Sequence, residues 1–206
     1  MQIIDKYFDL TEDQRNKFLK FKGVFLNWND QINLISRKDT DNFYERHVLH
    51  SLGIACVNDF VSGTKILDVG TGGGFPGLPL AILYPECHFV LVDSIEKKTK
   101  VVKEIVEVLN LKNVEVCHKR VEKEKRKFDF IVSRAVTKMN PFTAWVSNNI
   151  SEKQINPLPN GILYLKGGDL SFELEDLSYD YDVYPLSEFF EEPFFETKKV
   201  VYVRMV

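Results

Sequence analysis

The segment that most constrains the fold of this chain is a glycine-rich stretch, ILDVGTGGGFPGLPL, at residues 66–80. It begins with apolar and β-branched residues typical of a buried strand. Gly70, Gly72 and Gly74 then follow at a spacing of two. Because glycine has no Cβ, a loop of this kind can turn tightly and lie close to a ligand. With a helix expected over residues 75–84, the segment predicts a strand–loop–helix unit with a ligand-binding turn.

The residues around this loop distinguish between two classes of ligand. A literal G-x-G-x-x-G begins at Gly72, and that motif by itself suggests a dinucleotide. Pro76 and Pro79, however, lie where a pyrophosphate-binding helix start needs free N–H groups. Asp68 at the strand end would repel a pyrophosphate and would suit a cationic ligand. The pattern therefore favours S-adenosylmethionine, which carries an ammonium and a sulfonium and no phosphate.

A second acid supports this interpretation. Asp93 ends the next apolar run, HFVLVD, 23 residues after Gly70. This is close to the spacing of about 20 residues expected for an acid that accepts hydrogen bonds from ribose hydroxyls. A loop that only reverses the chain remains an alternative. A phosphate-binding P-loop is excluded, because no GKS or GKT follows the glycines.

The rest of the chain alternates between apolar runs and helical stretches. Helix 94–110 is predicted to begin with Ser94 as N-cap and to end near Asn110. The last residues predict an antiparallel hairpin at a sheet edge. Alternation of this kind predicts an α/β fold with a doubly wound, mostly parallel, seven-stranded sheet. The predicted internal strands are TKILDV, HFVLVD, VEVCH, FDFIVS and GILYLK.

The first sixty residues are predicted to be helical, as a cap (residues 1–60) packed on a single compact domain (residues 61–206). Thr11 followed by Gln14 is a capping box, which predicts a helix start. A second helix is expected from about residue 41 to 55. It would place His47 and His50 on one face.

Composition sets limits on partners. The net charge of −3 argues weakly against nucleic acid, but basic residues cluster at 97–103 and 119–127, which leaves a locally positive face for RNA. The three cysteines form no C-x-x-C pair, so neither a disulfide framework nor a metal site is expected. No apolar stretch approaches the ~18 residues of a membrane span. We expect a cytoplasmic monomer.

Several segments between about Asn27 and Gly168 together resemble a known family. They are NWNDQINLISRKD, ERHVLHSL, ILDVGTGGGFPGLPLAI, LVDSIEKKTKVV, RVEK, FDFIVSRAV and YLKGG, in that order. Their joint order and spacing are similar to the glucose-inhibited division protein B (GidB) family, the 16S rRNA guanine-N7 methyltransferases. The resemblance implies a class I, Rossmann-like methyltransferase fold with an N-terminal helical cap, S-adenosyl-L-methionine as cofactor, and 16S rRNA or the small ribosomal subunit as partner.

The resemblance also implies which residues form the site. Besides Asp68, the expected cofactor-binding positions lie on the loop and at the ends of three strands: Gly70, Gly72, Gly74, Phe75, Asp93, Ser94, Val121, Glu122 and Arg134. Arg134 belongs to the SRA triplet and is expected to orient the substrate base. No residue is assigned as a general base, because guanine N7 carries a lone pair and no proton.

Contacts to RNA phosphates are expected from Arg37, Arg46, His47 and Lys166. For His47 the alternative is a histidine packed on the domain, and for Lys166 the alternative is a solvated loop lysine. His50 stands where the family often has an aspartate, which puts a carboxylate role on that helix in doubt. Three other functions stay open: a methyltransferase acting on a small molecule or protein, a non-catalytic rRNA-binding assembly factor, and a dinucleotide-dependent oxidoreductase.

Overall fold

The amino-terminal helices form because their apolar residues recur at helical spacing. In the computed structural model, which describes residues 1–36 and 39–206, α1 spans Gln2–Asp5 and α2 spans Glu12–Ile32. The predicted capping box is confirmed: Thr11 Oγ1 accepts from the Gln14 N–H at 3.2 Å, and the Thr11 N–H donates to Gln14 Oε1 at 2.9 Å.

The second predicted helix has a different form from the one expected. Phe43–Leu49 is a π-helix, which continues directly into α3, His50–Val57. A π-helix makes i→i+5 hydrogen bonds, so it has more residues per turn and each residue is rotated less about the axis than α-helical periodicity assumes. Both His47 and His50 are nevertheless buried.

Seven strands form one sheet in the order β3-β2-β1-β4-β5-β7-β6. The strands are β1 Lys65–Val69, β2 His88–Asp93, β3 Val114–His118, β4 Phe130–Arg134, β5 Gly161–Gly167, β6 Tyr181–Pro185 and β7 Lys198–Arg204. All pairs from β3 to β5 are parallel, whereas β7 pairs antiparallel with β5 and with β6. The predicted strands and the closing hairpin are therefore confirmed.

Helices cover both faces of the sheet, which explains the apolar strands. The connecting helices are α4 Gly77–Leu83, α5 Glu96–Val108, α6 Met139–Val146 and α7 Ser171–Leu174. Successive residues of one strand enter opposite cores: Ile66 packs with α2–α5, and Leu67 packs with α6 and α7. Parallel strands covered on both faces are apolar throughout rather than alternating. The sheet order reverses between β1 and β4, so a crevice opens at their carboxyl ends.

The start of α5 corrects one prediction. The helix begins at Glu96 with Ile95 at the N-cap position, so the predicted N-cap Ser94 is wrong. Instead, the Asp93 carboxylate accepts the Ile95 N–H at 2.8 Å and satisfies a backbone donor near this helix start. Asn110, just after the helix, has a left-handed φ of 52°.

None of the helices in residues 1–36 and 39–206 combines the length and the apolar character needed to cross a lipid bilayer.

Candidate active site

The glycine loop that follows β1 contains residues in the left-handed backbone conformation, which residues with a Cβ rarely adopt. Gly70, Gly72 and Gly74 have φ values of 69°, 57° and 95°. A Cβ at Gly74 would lie 2.3 Å from Leu78 Cδ1, so both conformation and space exclude a side chain there. The Phe25 ring of α2 packs against the loop at Gly73. A Cβ added at Gly73 would lie only 2.8 Å from this ring.

Asp68 lies under this loop and holds it from below. Its Oδ2 accepts from Thr71 Oγ1 at 2.6 Å and from the Gly77 N–H at 2.9 Å, so it joins the loop to the start of α4. The residue is completely buried, and burial raises the pKa of its carboxyl to about 7. Asp68 does not line the cleft above the loop, but its Oδ1 has no hydrogen-bond partner among the described residues, so the expected contact between Asp68 and the cofactor stays a prediction.

Asp93 fastens the loop to the end of β2. Its Oδ2 accepts from the Gly72 N–H at 2.8 Å, and its Oδ1 accepts from the Ile95 N–H at the same distance. A carboxylate has about four lone-pair positions, so each oxygen can still accept one further hydrogen bond. Asp93 is 8% exposed, and the exposed part faces the cleft.

A cleft of about 490 Å³ opens at the carboxyl ends of β1, β2 and β4, where the sheet order reverses. Eight of the predicted cofactor positions line it: Gly70, Gly72, Phe75, Asp93, Ser94, Val121, Glu122 and Arg134. Gly74, like Asp68, does not line the cleft. Its place next to Leu78 gives it a role in shaping the loop instead.

Apolar side chains at the rim of this cleft were missed by the sequence analysis. Ile95, Val136 and Trp145 line the cleft and are 41%, 37% and 37% exposed. Apolar side chains left this accessible beside a cavity are typical of a site that takes a flat aromatic group. Leu34 and Ile35, which follow α2, close the cleft from the helical side.

Arg134 stands between the cleft and a second cavity, and it lines both. Its guanidinium lies 4.8 Å above the ring of Phe75. It donates to His47 Nδ1 at 3.2 Å and to the Arg46 carbonyl at 3.4 Å. Burial lowers the pKa of this guanidinium to about 10, so it stays charged at neutral pH. Its position is thus set by the ring below and by the π-helix beside it.

The second cavity, of about 410 Å³, lies between the π-helix, the end of β5 and the start of β7. Its walls combine cations, two histidines and apolar groups: Asp39, Arg46, His47, His50, Arg134, Ala135, Leu165, Lys166, Gly167, Phe194 and Lys198. Several of its cations already have partners. Arg46 pairs with Asp39 at 2.7 Å, and Lys166 pairs with Glu173 at 2.6 Å.

Three of the four predicted RNA contacts, Arg46, His47 and Lys166, meet in this cavity. The fourth, Arg37, lies outside the described residues. Lys166 donates to Glu173 and to the Thr137 carbonyl at 2.6 Å each, so its ammonium is less available than a solvated lysine would be.

His50 lines the same cavity and was given no binding role from sequence. The helical spacing of His47 and His50 already placed these two residues on one face, and that was the available signal. Phe194 and Lys198 come from the distant carboxyl-terminal hairpin, and no local motif marks them.

Comparisons with known proteins agree on the family. The family model described as "GidB: rRNA small subunit methyltransferase G" matches residues 14–189. A Cytophaga hutchinsonii protein named ribosomal RNA small subunit methyltransferase G is 54% identical over 204 residues, 98% of this chain and 99% of its own length. A Flavobacterium johnsoniae protein of the same name is 56% identical over 204 residues, covering 98% of this chain and 97% of its own.

The fold is shared with a solved structure of low sequence similarity. A SAM-dependent methyltransferase from Aquifex aeolicus superposes with a TM-score of 0.59 at 19% identity, over 84% of this chain and 100% of that chain. The predicted class I, Rossmann-like fold is confirmed by this likeness and by the observed sheet.

Proposed function

The chain belongs to the GidB family, rRNA small subunit methyltransferase G, and from that premise we propose that it methylates N7 of a guanine in 16S rRNA with S-adenosylmethionine. The observation that carries this proposal is the pair of adjoining cavities joined at Arg134. One cavity has the features of a nucleoside site, and the other has room and polar groups for a base. Both cavities are built from one chain, so we propose that the protein acts as a monomer. We also propose that it works in the cytoplasm.

The residues of the first cleft fit an adenosyl group. Asp93 keeps two free acceptor positions, which suit a pair of ribose hydroxyls. Ile95, Val136 and Trp145 offer apolar surface for an adenine ring. Bound there, S-adenosylmethionine would supply an electrophilic methyl group carried on a sulfonium. We attribute the selectivity against a dinucleotide to Asp93 and to the loop shape, because Asp93 lines the cleft and Asp68 does not.

The task of the protein at the second cavity is to hold a base in the correct orientation. Guanine N7 carries an in-plane lone pair and no proton, so no side chain has to remove one. Orientation and proximity can contribute roughly 7–11 kcal/mol to such a transfer. N7 is hidden in the deep groove of an RNA helix, so the base has to leave its stack. Arg134, fixed over Phe75, presents a planar cation where the two cavities meet.

The positive charges around this cavity are partly neutralised: Arg134 and Lys198 line it without a salt-bridge partner among the described residues, whereas the other two cations are paired. Methylated guanine carries a positive charge, which additional free cations would oppose. Arg46 and Lys166 are each paired with a carboxylate. Burial and Arg134 lower the pKa of His47 to about 3, so its ring is neutral at physiological pH. The histidine walls therefore add no charge at the reacting base.

Mapping N7-methylguanine in rRNA tests this function. Deletion of the gene should remove one modified guanine from 16S rRNA, and the wild-type gene should restore it. Asp93→Ala should not restore it, whereas Asp30→Ala, which removes an exposed aspartate of α2, should. Unchanged methylation in the deletion strain would refute the substrate. Methylation restored by Asp93→Ala would refute the placement of the cofactor, and restoration of subunit assembly without methylation would indicate a binding factor.

A further inference from the structure

Charge is distributed very unevenly between the two edges of the sheet. Residues 97–127, which include most of α5 and all of β3, contain eleven Lys and Arg and five acids, a net charge of +6. Residues 169–197, which include α7 and β6, contain ten acids and no Lys, Arg or His, a net charge of −10. β3 and β6 are the two edge strands of the sheet. A polyanion is therefore attracted to the β3 side and repelled from the β6 side.

A third cavity, of about 560 Å³, lies on the β3 side of the protein. It opens at the amino ends of β1, β2 and β3, so it lies at the opposite end of these strands from the cofactor cleft. Six of its lining residues are ionisable: Lys65, His88, Lys112, Glu115, Arg126 and Lys127. With the histidine neutral, this lining carries a net charge of +3 on a chain whose net charge is −3. The cavity is thus a local concentration of positive charge.

The one acid that lines this cavity is already engaged. Arg126 Nη1 donates to Glu115 Oε2 at 2.7 Å, and Arg126 Nη2 donates to Glu115 Oε1 at 3.3 Å, so the two side chains form a bidentate pair. Lys65, Lys112 and Lys127 are all exposed. Within residues 1–36 and 39–206, no carboxylate forms a salt bridge with any of these three ammonium groups. The cavity therefore offers three free cations to an anionic partner.

Cations continue from this cavity to the cofactor cleft along the β3 edge. Lys98 and Arg120 line the cleft at the carboxyl ends of β2 and β3. Because these strands have five or six residues, the two cavities are roughly 15–20 Å apart. The connection between β3 and β4 runs back from one cavity to the other, and it carries the exposed Lys123 and Lys125. An extended polyanion can therefore meet cations at both cavities and between them.

We propose that the third cavity binds backbone phosphates of the rRNA whose target guanine lies in the active site, with Lys112 and Lys127 as the main contacts. This inference rests on the proposed function. Lysine contacts to phosphates supply affinity and register without reading the sequence. The three ammonium groups are exposed rather than buried, so they suit a chain of phosphates at the surface better than one enclosed anion. The acidic β6 edge then faces away from the RNA.

Only part of the basic run at residues 119–127 is available for such contacts. Glu124 is buried, and its Oε2 pairs with Lys119 at 2.6 Å and with Arg126 at 2.8 Å. Removal of either cation would leave a buried carboxylate with fewer partners, which lowers stability. Loss of RNA binding in such a variant would have two explanations, so the test uses lysines that have no partner.

Steady-state methylation of small subunits from a strain that lacks the gene tests this site. The double variant Lys112→Gln/Lys127→Gln should raise KM for subunits on the order of tenfold at near-physiological salt, because two phosphate contacts are lost. Its kcat should not change, since neither lysine lies at the reacting base. A plot of log KM against log salt concentration should become less steep by about 1.4, or about 0.7 for each phosphate of a single strand. Each single variant should show about half of this change in slope.

A matched control separates a local contact from a change in net charge. Lys20→Gln/Lys153→Gln removes the same charge from two exposed lysines, one on α2 and one in the segment before β5, and neither lines the third cavity. This control should keep the wild-type KM and salt dependence. Every variant should bind S-adenosylhomocysteine as the wild type does, because the cofactor cleft is unchanged. An equal rise of KM in the control would overturn the proposal, since the effect would then come from net charge alone.

The remaining outcomes distinguish this inference from the function on which it rests. A wild-type enzyme that does not methylate subunits contradicts the proposed function itself. An active wild type, together with a Lys112→Gln/Lys127→Gln variant whose KM and salt slope are unchanged, contradicts only the phosphate site. Titration with inorganic phosphate identifies the other source of the same chemistry. Phosphate binding that is lost in the double variant, while its KM for subunits stays at the wild-type value, would assign the cavity to a free anion and overturn the RNA contact.

Discussion

Replacement of His47 should make the protein less sensitive to acid. The His47 ring is 8% exposed, lies 5.3 Å from the Phe75 ring, and accepts a hydrogen bond from Arg134. Burial, and next the charge of Arg134, lower the pKa of His47 from 6.5 to about 3 in the folded protein. Between these two values the unfolded chain binds a proton that the folded chain excludes. The stability that the neutral ring allows is therefore complete above pH 6.5 and is lost as the pH falls toward 3.

The magnitude follows from the two pKa values. Between pH 7 and pH 5, a group that titrates at 6.5 when unfolded and at about 3 when folded lowers the free energy of unfolding by roughly 2 kcal/mol. The raised pKa of Asp68 acts in the opposite direction, because its unfolded carboxyl ionises at lower pH than the folded one. Only the difference between wild type and a His47 variant isolates the histidine.

Urea unfolding at pH 7, 6 and 5 measures this difference. His47→Asn removes the titrating ring and leaves an amide that can accept from Arg134, so its stability should fall by roughly 2 kcal/mol less than that of wild type. His88→Asn, at a solvent-exposed histidine, should follow the wild-type pH dependence. Equal pH dependence in His47→Asn and wild type would show that His47 is not held neutral and would refute the reasoning about its environment.

Three further substitutions test the loop, the cap and the site. In thermal unfolding, Gly74→Ala should lower stability by about 3 kcal/mol or more, because strain at a φ of 95° adds to a clash with a side chain of α4. The control Gly63→Ala, with a φ of 83° and open space around the added Cβ, should lower stability by about 1 kcal/mol in the same assay. Thr11→Ala should cost about 1 kcal/mol, and Thr11→Ser should restore the cap in denaturant titrations. Arg134→Lys keeps the charge and loses the planar fork, so methyl transfer should fall at least tenfold while S-adenosylhomocysteine affinity changes less; equal losses in both would contradict its place between the cavities.

The sheet could be predicted from sequence because its signals are local. Each strand is a short apolar run, and the closely spaced glycines indicate a tightly turning loop. The role of Asp68 could not be predicted from sequence, because a carboxylate at a strand end looks the same in sequence whether it faces a ligand or the loop. Only the fold shows that Thr71 and Gly77 both donate to one of its oxygens, Oδ2.

The second cavity needed the tertiary structure for a similar reason. Phe194 and Lys198 reach it from a hairpin far along the chain. Helical spacing placed His47 and His50 on one face, but no local signal predicted that Phe43–Leu49 would form a π-helix. The pairing of Lys166 with Glu173 also appears only when α7 folds against the end of β5.

The central claim, that the cleft above the glycine loop accepts an adenosyl donor and no dinucleotide, is tested most directly by calorimetry on the purified protein. We predict saturable heat with S-adenosylhomocysteine, at least tenfold weaker binding in Asp93→Asn, and no binding of NAD. Saturable binding of NAD, with no heat from S-adenosylhomocysteine, would contradict the claim.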